Sequence, residues 1–347
     1  MTAPRSSDTI PGVKLYVAVF GASILTAAAC GARTGLNVPI PPELDAGPDV
    51  VDAGPDVFDA PVDAPPDVVD APPDAPVVND CADAGTTFIY VITVQNDLYS
   101  YYPPNGAFTF IGTINCPTTT PNATPFSMAV NRAGTAYVVF NSGELFQVST
   151  ADASCQTTPY TPTPFGQGKQ ETFGMGFSAD TMDPGETLFV ASDDDSANGV
   201  PTVPEQLGSI DTTAFQLNPL GQFPHVIGSA ELSGTGDGRL FGFGVLQNGN
   251  MPSDPVSLRV VEIDKTAPQT LLSETFVTLA SSGPAQLQAW AFAFWGGDFY
   301  LFTAAGGTTS PSTVSLYHPG GSTIAQPILT LPNTIVGAGV STCAPQH

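Results

Sequence analysis

The stretch WAFAFWGGDFYLFTA, residues 290–304, carries the pattern on which the fold prediction rests. Large and small side chains alternate over its first five residues, two glycines follow, and a second apolar run begins at Asp298. Period-two alternation is typical of a β-strand, because successive side chains point to opposite faces. The stretch therefore predicts two consecutive strands, of which the first carries only small side chains on one face.

The same unit recurs along the chain with a period near 50 residues. Similar alternating runs are Phe126–Val130, Phe173–Phe177 and Val336–Val340. A glycine precedes an apolar run at five places, with spacings of 49, 51, 53 and 59 residues: Gly85, Gly134, Gly185, Gly238 and Gly297. Two further strand-like runs follow each of these apolar runs. A repeat of this length made only of strands predicts the blades of a β-propeller.

We therefore expect an all-β domain over residues 81–347, a propeller of five four-stranded blades. Small residues suit the alternating runs because five innermost strands converge on one axis. The last run, Val336–Val340, has no strands after it, whereas the first blade lacks an innermost strand. We predict that this C-terminal strand closes the first blade, which joins the chain ends and removes free sheet edges.

Residues 1–29 have the order of a secretion signal. Arg5 and Lys14 precede an almost wholly apolar run, Leu15 to Ala29, which ends in small residues. Its 15 residues are fewer than the roughly 20 that a membrane-spanning helix needs. A cleaved signal is therefore favoured over a permanent transmembrane helix.

An acidic linker follows over residues 30–80, in phrases such as DAGPDVVDAGPDVFDAP. Frequent prolines and mutually repelling carboxylates prevent such a segment from burying enough surface to fold. We expect a disordered, extended spacer. Calcium binding by its regularly spaced aspartates is the alternative, but the rigid turn geometry of a calcium loop is missing.

The residues before Cys30, Leu25-Thr-Ala-Ala-Ala29, resemble the lipobox of bacterial lipoproteins. The resemblance implies lipidation of Cys30 and a membrane anchor, and Gly31 after it implies an outer-membrane lipoprotein facing the periplasm or the cell surface. A plain secreted protein is the alternative. The phrases LYSYYPPNGAFTFIGTI (98–114) and LGSIDTTAFQLNPLGQF (207–223) are similar to secreted lipoproteins in which an Asp/Ala/Pro linker precedes a WD40-like or quinoprotein-like propeller. The tryptophan-rich docking motifs of quinoprotein dehydrogenases are absent, so no quinone cofactor is implied.

Four cysteines remain after Cys30 is set aside, which in an exported chain favours two disulfides. The count alone permits three connectivities. Closure of the ring brings Cys81 and Cys343 to one rim and leaves Cys116 to pair with Cys155 between the first two blades. No CxxC pair occurs and the three histidines are scattered, so zinc is not expected.

Two sets of oxygen ligands are candidates for a site. Glu231 stands where the other innermost runs have small residues, Ala129, Gly176, Ala293 and Gly339. It would be a ligand or metal contact in the channel; the alternatives are a carboxylate solvated by channel water or a different register. Asp193, Asp195 and Asn198 lie in an acidic loop that is oxygen-rich enough for calcium. An exposed acidic turn is the alternative there.

The net charge of −24 excludes nucleic acid as a partner, since no cluster of Lys or Arg opposes it. No complete active site is visible, because the chain has neither a Gly-x-Ser-x-Gly elbow nor a second clear channel carboxylate. We expect an envelope-tethered binding or scaffold propeller, with an envelope or extracellular protein or a glycan as partner. The alternative is a metal-dependent hydrolase or lactonase that acts on an extracellular small molecule or glycan. Convergence of Glu231 and the 193–198 loop on one channel mouth would favour the enzyme.

Overall fold

The computed structural model describes residues 81, 87–182, 184–193, 205–224, 230–247, 256–280, 287–306, 310–322 and 324–347. All of them belong to the second of the two units into which the chain divides, residues 70–347. The predictions for the signal, the linker, Cys30, Asp195 and Asn198 concern residues outside this description. None of the described residues forms a helix long and apolar enough to span a membrane.

The described residues form twenty strands and one 3₁₀ turn, Pro103–Asn105, and no α-helix. The strands are arranged as five antiparallel blades of four. From the innermost strand outward, they are, in blade 1, β20 (Ile335–Val340), β1 (Ile89–Thr93), β2 (Asp97–Tyr102) and β3 (Ala107–Thr113); in blade 2, β4 (Pro125–Val130), β5 (Thr135–Phe140), β6 (Leu145–Ser149) and β7 (Cys155–Thr157); in blade 3, β8 (Phe173–Ala179), β9 (Glu186–Ser192), β10 (Gln206–Ile210) and β11 (Leu217–Gln222); in blade 4, β12 (Glu231–Gly234), β13 (Leu240–Gln247), β14 (Val256–Ile263) and β15 (Leu271–Leu279); in blade 5, β16 (Leu287–Trp295), β17 (Asp298–Ala305), β18 (Ser312–Tyr317) and β19 (Ile324–Leu331).

The prediction of a five-bladed propeller closed by the C-terminal strand is confirmed. Strand β20 pairs antiparallel with β1, with Val340 opposite Ile89. Both disulfides are present: Cys81 is bonded to Cys343, and Cys116 is bonded to Cys155. The first bond lies beside the closing strand, and the second joins blades 1 and 2.

The alternation of small and large residues has a steric cause in the ring of innermost strands. A Cβ atom on Gly174 would lie 2.0 Å from the carbonyl oxygen of Ala230, in the next blade. A Cβ on Gly176 would lie 2.7 Å from the backbone of Leu232. These distances are far below van der Waals contact, so β8 and β12 can approach this closely only through glycine.

Most of the hydrophobic core lies between neighbouring blades rather than around the axis. The largest aromatic group is in blades 4 and 5, where Phe241, Phe292, Phe294 and Phe299 pack with ring centroids 4.9 to 5.8 Å apart. Burial of each such ring contributes about 1.5–3 kcal/mol. Stability therefore depends on contacts that each blade makes with the next.

One pairing was not expected from the repeat. The outermost strands of blades 4 and 5, β15 and β19, pair in parallel through Thr278 opposite Ile324 and Leu279 opposite Ala325. The amide of Ala280 extends this contact by donating to the carbonyl of Ala325 at 3.1 Å. This seam makes a single eight-stranded sheet of the two blades.

The two faces of the ring differ in their connections. We call the face where the innermost strands begin the upper face, and the face where they end the lower face. Upper-face connections include the long segments 114–124 and 158–172, whereas lower-face turns such as 131–134 and 296–297 are short. Long connections on a rigid frame are where binding groups are usually found.

Candidate functional site

Glu231 is the first residue of β12, and its carboxyl group is buried near the axis with 5% of the residue exposed. Its Oε2 atom accepts a hydrogen bond of 2.6 Å from the hydroxyl of Ser127, which lies on β4. The backbone N–H of Met175, on β8, also donates to this carboxyl group. One side chain therefore connects the innermost strands of blades 2, 3 and 4.

Innermost strands need such partners because one edge of each strand faces the axis and has no further strand beside it. A buried N–H group on that edge must find another acceptor. Glu231 serves the N–H of Met175 in this way. Ser233, two residues further along β12, does the same in blade 5, where its hydroxyl accepts from the N–H of Phe294 at 3.0 Å.

Burial raises the pKa of Glu231 well above its usual value of 4.5. The hydrogen bonds from Ser127 and Met175 act in the opposite direction, because they stabilise the ionised form, and the negative charge of Asp193 raises the pKa further. Desolvation is the largest of these effects. Glu231 consequently keeps its proton to higher pH than an exposed glutamate does.

Asp193 comes directly after β9, and its charge acts on Glu231 across the boundary of blades 3 and 4. Its Oδ2 atom accepts a hydrogen bond of 2.9 Å from the hydroxyl of Thr172, the residue before β8. Both residues are at the upper ends of their strands. The described end of the acidic loop and Glu231 therefore lie at the same end of the axis, where their charges interact. We call this end the upper mouth.

Glu205 is a third carboxylate in this region, and no pattern in the sequence singles it out. It lies just before β10 and is 1% exposed. Its Oε2 atom accepts from the N–H of Ala230 at 3.0 Å, and its carbonyl accepts from the N–H of Phe223. Glu205 thus fixes the chain immediately before Glu231.

Within the described ranges, no three His, Cys, Asp or Glu side chains are placed to hold a metal ion. Two of the three residues expected to bind calcium, Asp195 and Asn198, lie outside those ranges. The calcium site therefore stays a prediction. Glu231 and Asp193 alone supply fewer oxygens than the six to eight that calcium takes.

The lower mouth of the channel carries a second polar network. The guanidinium Nε of Arg132, after β4, donates to the hydroxyl of Thr342 at 2.7 Å, and that hydroxyl donates to Oε2 of Glu186 at 2.8 Å. The N–H of Arg132 donates to Oε1 of Glu186 at 2.7 Å. Burial raises the pKa of Glu186, although these bonds oppose the shift. The network joins blades 1, 2 and 3.

No protein-family model and no curated protein matches the chain. Among solved structures, it is similar to the Dos1 propeller, at 12% identity and a TM-score of 0.35, over 72% of this chain and 56% of that one. It is also similar to a thermostable family-43 glycoside hydrolase, at 10% identity and a TM-score of 0.42, over 59% of this chain and 72% of that one. The chain therefore spans little more than half of the first of these proteins. At such identities the likeness concerns the fold alone.

Proposed function

We propose that this protein is a ligand-binding propeller that is tethered to the bacterial envelope through a lipid on Cys30 and presents its upper face to an extracellular partner. The acidic, proline-rich linker would act as the spacer between the anchor and the propeller. The long connections of the upper face supply adaptable contacts on a rigid ring.

The meeting of Glu231 and Asp193 at the upper mouth carries this proposal. The carboxyl oxygens of both residues accept hydrogen bonds, and Glu231, whose pKa is raised by burial, can also donate one when it is protonated. Together they match hydroxyl groups, which both donate and accept, and they repel anions. An extracellular glycan or another polyhydroxylated molecule therefore fits the mouth better than an anionic ligand.

Binding of neutral oligosaccharides to the full chain tests the proposal, first on a glycan array and then by titration calorimetry. Asp193→Asn should weaken the binding of any oligosaccharide found on the array by tenfold or more, since a charged hydrogen bond contributes about 1.5–3 kcal/mol. Asp237→Asn is the matched control, because Asp237 lies in a lower-face turn. Equal affinities of both variants and the unaltered chain would contradict a site at the upper mouth.

A second candidate is a hydrolase in which Glu231 is the general acid and Asp193 the general base. The raised pKa of Glu231 beside a second carboxylate favours it, because glycoside hydrolysis uses one protonated and one ionised carboxyl group. Release of reducing ends from oligosaccharides, lost in Glu231→Gln, would support this function. Sensitivity of that activity to a chelator would favour a metal-dependent hydrolase. Binding of oligosaccharides without hydrolysis would contradict the hydrolase and support the binding function.

A further inference from the structure

Two threonine- and proline-rich loops stand beside each other on blade 2, although they are far apart in sequence. We call them the Thr/Pro loops: residues 117–125, PTTTPNATP, and residues 157–164, TTPYTPTP. Cys116 immediately precedes the first loop, and Cys155 lies two residues before the second. The disulfide between these cysteines, with Cα atoms 5.2 Å apart, ties the bases of the two loops together.

The turn between β5 and β6 separates the loops and contacts both. On one side, Oε1 of Glu144 accepts hydrogen bonds from the N–H and the hydroxyl of Thr119, at 2.9 and 3.0 Å. On the other side, a Cβ on Gly143 would lie 3.0 Å from Cβ of Pro162. The two loops therefore form one continuous threonine-rich surface.

Three threonines of this surface are exposed and have hydroxyl groups that make no hydrogen bond to the described residues. Thr120, Thr157 and Thr161 are exposed, and within the described part of the chain their hydroxyls make no hydrogen bond. Other hydroxyls of the same loops are engaged: that of Thr158 donates to the carbonyl of Leu145 at 2.6 Å, and that of Thr163 to the carbonyl of Thr161 at 2.8 Å. The Thr/Pro loops therefore contain both free threonine hydroxyls and hydroxyls that are engaged in hydrogen bonds.

Proline shapes the backbone at these positions. Thr120 and Thr161 each directly precede a proline, which disfavours helical geometry at the threonine. An exposed threonine outside a helix, with a free hydroxyl, is accessible to the cleft of a modifying enzyme. Proline-flanked Ser and Thr in exported chains have the composition of O-glycosylated segments.

We propose that Thr120, Thr157 and Thr161 are sites of O-glycosylation. In the transfer, the threonine hydroxyl oxygen bonds to the anomeric carbon of a sugar activated on a nucleotide or lipid phosphate. The bond from that carbon to the phosphate oxygen breaks, the phosphate leaves with its electron pair, and the hydroxyl proton passes to a base of the transferase. The proposal does not depend on which ligand the upper mouth binds.

Intact-mass spectrometry of the full chain, isolated from the cells that naturally produce it, tests the proposal. We expect a mass excess of one or more sugar units, located on peptides of the Thr/Pro loops and released by alkaline β-elimination, which frees O-linked but not N-linked sugars. An unmodified native chain would overturn the proposal. So would sugar attached only to Asn122, which begins the sequon Asn122-Ala-Thr124.

Variants expressed in the same cells sharpen the test. Thr→Val at all three positions, nearly isosteric but without the hydroxyl, should remove the whole mass excess, whereas Thr→Ser at the same positions should retain it. Thr→Val at Thr109 and Thr278, exposed on β3 and β15, is the matched control and should retain it too. If the triple variant does not fold, each single variant should lose its own share. A mass excess unchanged in all three single variants refutes these sites.

Discussion

Serine in place of both Cys81 and Cys343 removes a cross-link that spans almost the whole propeller. The two cysteines are 262 residues apart, whereas Cys116 and Cys155 are 39 apart. In the chain-entropy description, a cross-link destabilises the unfolded state by an amount that grows with the logarithm of the loop it closes. That relation gives about 5.5 kcal/mol for the long loop and about 4 kcal/mol for the short one.

The difference in stabilisation free energy between the two disulfides is better determined than either value, because the contributions that do not depend on loop length cancel. It equals 1.5RT times the logarithm of 262/39, or about 1.7 kcal/mol. The loop closed by Cys116 and Cys155 lies within the loop closed by Cys81 and Cys343. While the Cys116–Cys155 bond is intact it shortens the longer loop, which reduces the difference in stabilisation by only about 0.1 kcal/mol. Removal of the bond that closes the ring should therefore be the costlier of the two changes.

The assay is urea unfolding of the full chain under non-reducing conditions, followed by tryptophan fluorescence and by circular dichroism. The two double-serine variants and the unaltered chain are compared at one pH, and coincidence of the two probes checks the two-state assumption. Equal losses of unfolding free energy, or a larger loss for the Cys116/Cys155 variant, would refute the entropic reasoning. The ring would then owe its closure to the β20–β1 pairing rather than to the cross-link beside it.

Three further changes address the axis and the lower mouth. Glu231→Gln should raise the melting temperature at neutral pH and flatten its pH dependence: the folded state holds this proton more tightly than the unfolded chain, so the carboxyl group lowers the unfolding free energy as pH rises above about 4.5. A melting profile with unaltered slope would contradict that sign. Gly174→Ala should lower the free energy of unfolding by about 3 kcal/mol or more, because the new Cβ would lie 2.0 Å from the carbonyl oxygen of Ala230. Gly106→Ala is the control: a Cβ there has nothing within 4 Å and φ is +68°, so the same urea titration should show a loss of only about 1–2 kcal/mol. Thr342→Val should cost about 1.5–3 kcal/mol, since it removes a hydroxyl bonded to both a guanidinium and a carboxylate; an unchanged urea midpoint would show that water replaces it without loss.

Much of the fold was predictable because the ring imposes a local rule on each repeat. The run Phe173-Gly-Met-Gly-Phe177 can be identified as an innermost strand from its own sequence. Glycine is needed at 174 and 176 because the backbone of the next blade leaves no room there for a side chain. The closing strand was predictable for a related reason: Val336–Val340 has the same alternation but no strands after it.

The contacts of the site could not be predicted in the same way. Ser127 and Glu231 are 104 residues apart, and Arg132 and Thr342 are 210 apart. No local period relates such positions, because their meeting depends on how far each blade turns about the axis. What the sequence pattern leaves open at Glu231, the structure supplies: the carboxyl group is buried and accepts hydrogen bonds from Ser127 and from the backbone of Met175.

The parallel seam between β15 and β19 bears on how the ring comes apart. At the outer rim, blades 4 and 5 share strand-to-strand backbone hydrogen bonds, and the Cys116–Cys155 disulfide joins blades 1 and 2. Opening of the ring should therefore follow a boundary without such a link, and blades 4 and 5 should unfold as a single cooperative unit. With its disulfides intact, a propeller of five geometric blades would then behave as three mechanical segments: blades 1 and 2, blade 3 alone, and blades 4 and 5.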